Sequence, residues 1–186
     1  MPAMSGPGQD DIDVINVATK KLLDPITVEP NPHWIVFGQN DLFYVTNHTS
    51  GMITIINSNT NQVVKKFVVG PTPHAIAISP DFSRLAVTSY GANEVFIIST
   101  ATDKVIATIP VGREPLDIEY SADGRYLYDT NCDDNTVSVI DTATDKVIDT
   151  IKTGKQPTSI DQLPNGRQAY VTDEGSGSVE VLNLPH

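Results

Sequence analysis

An all-β fold, a β-propeller of four-stranded antiparallel blades, is what this sequence predicts, and three observations predict it. Pro73, Pro115 and Pro157 lie 42 residues apart, each closing a Gly-x-x-Pro begun by Gly70, Gly112 and Gly154, with Pro32 another 41 residues upstream. Thr46, Thr88, Thr130 and Thr172 keep the same 42-residue period. So do Ile56, Ile98, Ile140 and Leu182, with Ile15 a further 41 residues before them. Three registers in step mark one supersecondary unit repeated along the chain.

Each unit reads as four short strands separated by turn residues. Strand A is predicted at Trp34–Phe37, Ala75–Ile78, Asp117–Tyr120 and Ser159–Gln162. Turns such as Ser79-Pro80-Asp81 and Ala122-Asp123-Gly124 follow, where Pro and Gly supply the dihedrals. Strand B is predicted at Leu42–Thr46, Arg84–Thr88, Tyr126–Thr130 and Gln168–Thr172. The β-branched strand C follows at Ile53–Asn57, Val95–Ser99, Val137–Asp141 and Val179–Asn183. Strand D is predicted at Val63–Val69, Val105–Val111 and Val147–Thr153. Strands such as Val95–Ile98 are apolar at successive positions, as expected of sheets buried on both faces. Four strands at a period in the low forties are a propeller blade.

The units predict repeats near 31–70, 71–112, 113–154 and 155–186, a half-blade over 11–30, and a flexible tail over 1–10. The half-blade has a strand C at Ile12–Asn16 and a strand D near Leu22–Val28, while the last unit lacks strand D. Strand C is therefore present in surplus. The chain is expected to close as a four-bladed ring, to complete a larger ring with a second copy as a homodimer, or to be part of a longer protein.

Composition narrows function. A net charge of −11, with twelve scattered Lys and Arg, repels phosphates and speaks against nucleic acid. No apolar run reaches the ~18–20 residues of a membrane span. The opening Met1–Asp10 has neither a basic nor an apolar region, so it is not expected to be a secretory signal. The one cysteine, Cys132, excludes an intrachain disulfide and a cysteine-cluster zinc site. No metal and no cofactor are expected.

Alternating strand direction puts the D–A and B–C loops on one face, where a rigid scaffold presents binding groups. His33 and His74 follow proline at equivalent positions of adjacent blades and are expected at the mouth of the central channel, with His48 on the same face. Such histidines suit acid–base work or ligation; they equally suit a repeat residue that braces strand A. Tyr90, Arg113, Glu114, Asp133 and Asp173 complete the expected ligand-binding face. No D-x-D-x-D-G, H-x-x-E or Gly-x-Ser-x-Gly pattern occurs, and Cys132 has no neighbouring base in sequence. Three carboxylates stand where other blades carry apolar residues: Glu119 and Asp161 on strand A, and Asp129 on strand B. Glu119 and Asp161 form an acid/base pair or line a solvated channel. His33, His74, Glu119 and Asp161 are the catalytic candidates.

Tyr44-Val45-Thr46-Asn47 spells the YVTN motif, and Tyr170-Val171-Thr172-Asp173 nearly repeats it. With Pro73–Asp81 and Asn135–Asp141, these segments resemble the YVTN-repeat β-propeller family over Asp11–Leu184. The resemblance implies a propeller and favours a periplasmic or cell-surface setting. Function is then expected to be a binding scaffold for a protein, peptide, glycan or small molecule, with a small lyase, hydrolase or isomerase as the alternative, or a structural part of a larger surface protein.

Overall fold

The computed structural model describes residues 10–184, so most of the tail expected over 1–10 lies outside the described residues. The N-terminal half-blade is one broken hairpin. Strands β1 (Asp11–Ile12) and β4 (Ile26–Thr27) pair, and β2 (Ile15–Asn16) pairs with β3 (Lys21–Leu22).

Blade 1 follows as β5 (Pro32–Phe37), β6 (Leu42–Asn47), β7 (Met52–Asn57) and β8 (Gln62–Val68). Blade 2 is β9 (Pro73–Ile78), β10 (Arg84–Ser89), β11 (Glu94–Ser99) and β12 (Lys104–Pro110). Blade 3 is β13 (Pro115–Tyr120), β14 (Tyr126–Asn131), β15 (Thr136–Asp141) and β16 (Lys146–Lys152). Blade 4 has three strands, β17 (Pro157–Gln162), β18 (Gln168–Asp173) and β19 (Ser178–Asn183). Within the four blades every pairing is antiparallel and joins neighbours in sequence, so each blade is a meander, and the A strands of successive blades lie against one another. No described residue is helical, and none of the described segments is a helix long and apolar enough to cross a membrane.

The two-faced strands of the sequence are explained by the stacking. Tyr44, Ile53 and Ile55 of blade 1 pack against Ile76, Leu85, Val87, Phe96 and Ile98 of blade 2. The next residue along each strand points the other way: Ala86, Val95 and Ile97 meet Ile118, Leu127 and Ile140 of blade 3. Tyr128, Val137 and Val139 then meet Ile160, Ala169, Val171 and Leu182 of blade 4. Each of these Val, Leu, Ile and Phe side chains contributes about 1.5–3 kcal/mol by leaving water. Among the described residues nothing packs on the far side of blade 4. Tyr170, Val179 and Val181, in the positions of Tyr128, Val137 and Val139, are 42%, 61% and 49% exposed. Among the described residues the half-blade's strands pair only with one another, so the blades form an open arc.

The periodic residues have local jobs. Strand A carries a bulge after its first proline in blades 1 to 4. There the threonine hydroxyl of strand B takes the N–H that loses its ladder partner: Thr46 from Trp34 at 3.0 Å, Thr88 from Ala75 at 2.9 Å and Thr130 from Asp117 at 3.0 Å. Glycine recurs because a Cβ at Gly112 would stand 2.5 Å from Asn131 Cγ, and one at Gly154 2.8 Å from Asp173 Cγ. Those side chains fill the space and brace the B–C turn. Asn131 donates to Ser138 at 2.9 Å, as Asn47 does to Thr54 at 2.9 Å.

Candidate functional site

The strand-A bulge sets the site. At each D–A junction a residue with positive φ (Asn31, Thr72, Glu114, Gln156) turns the chain just before the strand. The bulged residue that follows, His33 in blade 1 and His74 in blade 2, is out of ladder register and its side chain is freed from the sheet. The result is a histidine cluster. The rings of His33 and His74 lie with centroids 3.9 Å apart, and His48 from the B–C loop stands 5.9 Å from His33 and 6.1 Å from His74. Tyr90 stacks on His74 at 6.1 Å and 28°, and Trp34 lies 6.4 Å from both His33 and His74. Asn31, His33, His48, His74 and Tyr90 line a cavity of about 330 Å³.

Charge is unwelcome there. Burial, then the neighbouring His33, pushes His74 down to about 4. Burial and the adjacent His48 lower His33, and burial lowers His48. The three imidazoles are thus neutral at pH 7. His74 Nδ1 lies 2.7 Å from the Leu116 carbonyl, which can only accept, so Nδ1 carries the proton and Nε2 the lone pair. His33 Nδ1 is buried with no partner. Among the described residues no group of three or more His, Cys, Asp or Glu is arranged to hold a metal ion.

The remaining expected ligands divide. Glu114 faces the Tyr90 hydroxyl and holds its pKa up by hydrogen bonding. Arg113 is tied to Asp134 at 2.7 Å, with Asp133 at 3.9 Å. Asp173 is buried against Gly154 as the blade-4 counterpart of Asn47 and Asn131, a brace rather than a surface group. Cys132 is buried, and burial followed by the charge of Glu114 pushes its thiol up, which leaves it a poor nucleophile.

The carboxylates form a second place. Burial, then the like charge of Asp161, pushes Glu119 up to about 7. Beside it Asp117, which sequence reasoning did not single out, accepts from Ser159 Oγ at 2.9 Å and Ile160 N at 3.0 Å across the blade junction. Glu119 and Asp161 do not line the histidine cavity, so the four catalytic candidates fall into two sets rather than one. Asp129 is fully buried in the stack of blades 2 and 3, and both its oxygens lack partners.

A family model described as Cytochrome D1 heme domain matches residues 37–183. No curated protein matches the chain. In structure the chain is similar to Kuenenia stuttgartiensis Hydrazine Synthase, with a TM-score of 0.79 and 24% identity over 84% of this chain. At that identity the likeness shows the fold, and the chain spans about half of that protein's length, 47%. The expectation of no cofactor is overturned by the match to a heme domain. Sequence motifs gave no warning because a heme brings its own equatorial nitrogens and needs only an axial side chain.

Proposed function

This chain belongs to the cytochrome D1 heme domain family, and on that footing we propose that the D–A/B–C face would hold a heme through the imidazole of His74. The observation that carries this is the His74–Leu116 bond at 2.7 Å, which fixes the tautomer with a free Nε2 and orients the ring. The residues fit the group in donor chemistry: the imidazole is neutral, part-buried and flanked by aromatic rings. The 330 Å³ cavity is at the small end of ligand pockets (about 300–1,000 Å³), so two blades supply a ligand and a wall rather than an enclosure. A bound heme would supply redox chemistry at its iron. His33 and His48, neutral and adjacent, would hold or pass a proton at their ring nitrogens and orient a small molecule.

Titration of the chain with hemin, followed at the Soret band, tests this. A saturable shift is expected, weakened at least about tenfold in His74→Ala with the β-sheet circular dichroism unchanged. An unperturbed Soret band sinks the heme assignment, and equal binding by His74→Ala sinks the ligand assignment.

The Tyr44–Asn47 motif also supports kinship with YVTN-repeat propellers. The exposed stacking residues Tyr170, Val179 and Val181 support completion of the ring by a second copy of the chain. Light scattering is expected to give twice 20.1 kDa, reverting to the monomer mass in Val181→Lys; a wild-type monomer contradicts the dimer.

A further inference from the structure

Opposite the histidine face, the A–B loops of consecutive blades leave two grooves that share Asp123. The first, of about 250 Å³ between blades 2 and 3, is lined by Ser79–Asp81, Ser83, Arg84, Tyr120, Asp123, Gly124 and Thr142. The second, of about 290 Å³ between blades 3 and 4, runs along Asp123, Tyr126, Tyr128 and Pro164–Gly166.

Two buried donors in the first groove lack partners. Tyr120 is 7% exposed and its hydroxyl makes no hydrogen bond, although the large majority of buried side-chain polar groups are paired. Arg84 gives Nη1 to the Thr142 carbonyl at 2.7 Å and Nη2 to both oxygens of Asp145 at 2.8 and 2.6 Å, while its Nε is buried and unpartnered. Because Asp145 already balances the guanidinium charge, the two free donors call for a neutral oxygen rather than an anion. At the rim are ionised acceptors. Hydrogen bonds from Ser79 and then Ser83 hold Asp81 down at about 2, and one from Ser121 lowers Asp123. A hydroxyl meets both needs through a single oxygen, accepting from the first set and donating to the second.

The neighbouring groove supplies an aromatic wall. Tyr126 presents its ring there, backed by the buried Tyr128 6.5 Å away, with the Arg125 guanidinium 5.4 Å from the Tyr126 ring centre. From these features we propose that the A–B face binds a neutral oligosaccharide. One sugar unit sits on Tyr120 and Arg84 beneath Asp81 and Asp123, and the next lies along Tyr126, with Asp123 between them.

The test is a two-dimensional NMR titration with maltotriose, cellotriose and triacetylchitotriose at millimolar concentrations. At least one is expected to shift the Gly124 and Gly166 amides saturably. Tyr120→Phe and Asp123→Asn are each expected to weaken that binding about tenfold. Tyr120→Phe removes a hydroxyl with no partner, so its fold is retained, and His74→Ala is expected to leave sugar binding unchanged. No shift with any of the three, or equal binding by both groove variants, overturns the proposal.

Discussion

Asp129→Val is expected to stabilise the chain, and by more as the pH rises. Asp129 lies opposite Ile118 and Ser138 in the sheet, is wholly buried, and has no partner for either oxygen. An unpaired buried polar group costs about 1–3 kcal/mol even when neutral. Desolvation, reinforced by the charge of Asp117, raises its pKa well above 3.8. The sign follows. With the folded-state pKa above the unfolded one, stability is whole below about pH 4 and declines as pH rises toward the folded value. Valine stands at the equivalent places, Val45, Val87 and Val171, each fully buried, so it suits the site in shape. For a chain of this size each kcal/mol gained raises Tm by about 2–4 °C. Calorimetry between pH 5 and pH 8, as round values bracketing neutrality, is expected to show a higher Tm for Asp129→Val at every pH and a flatter pH profile. A lower Tm with the slope retained contradicts the assignment.

Acid should destabilise the histidine face, in the opposite sense. His74 falls from 6.5 unfolded to about 4 folded. Its stability contribution is complete above pH 6.5 and is lost as pH falls toward about 4, because the unfolded chain takes the proton first. The shift corresponds to a loss on the order of 3 kcal/mol across that window. Protonating one ring also sets a charge against its neighbour at 3.9 Å. His74→Asn, which keeps a donor for the Leu116 carbonyl, is expected to remove most of this acid sensitivity in denaturant melts. An acid slope unchanged in that variant contradicts the buried, neutral His74.

The sequence was legible where one physical cause repeats. The Thr46 series predicts strand B within a residue, because the hydroxyl is needed at the strand-A bulge of blades 1 to 3. Alternating strand direction was enough to put His33, His48, His74 and Tyr90 on one face. The bulge itself was not legible, and it brings His33 and His74 within 3.9 Å. Asp173, expected on the ligand-binding face, is buried as a brace, and its alignment with Asn47 carries that signal. The contacts that set the second face join residues about sixty apart: Arg84 reaches Asp145 across a blade junction, and no local pattern announces it.

The proposal that the histidine face holds a heme stands most directly on the protonation state of His74. A ¹⁵N NMR titration of the imidazoles reads it without any ligand present. The structure predicts that His74 stays neutral, with the proton on Nδ1, until the pH approaches about 4. A His74 that titrates near the ordinary 6.5, or that carries its proton on Nε2, would contradict the site.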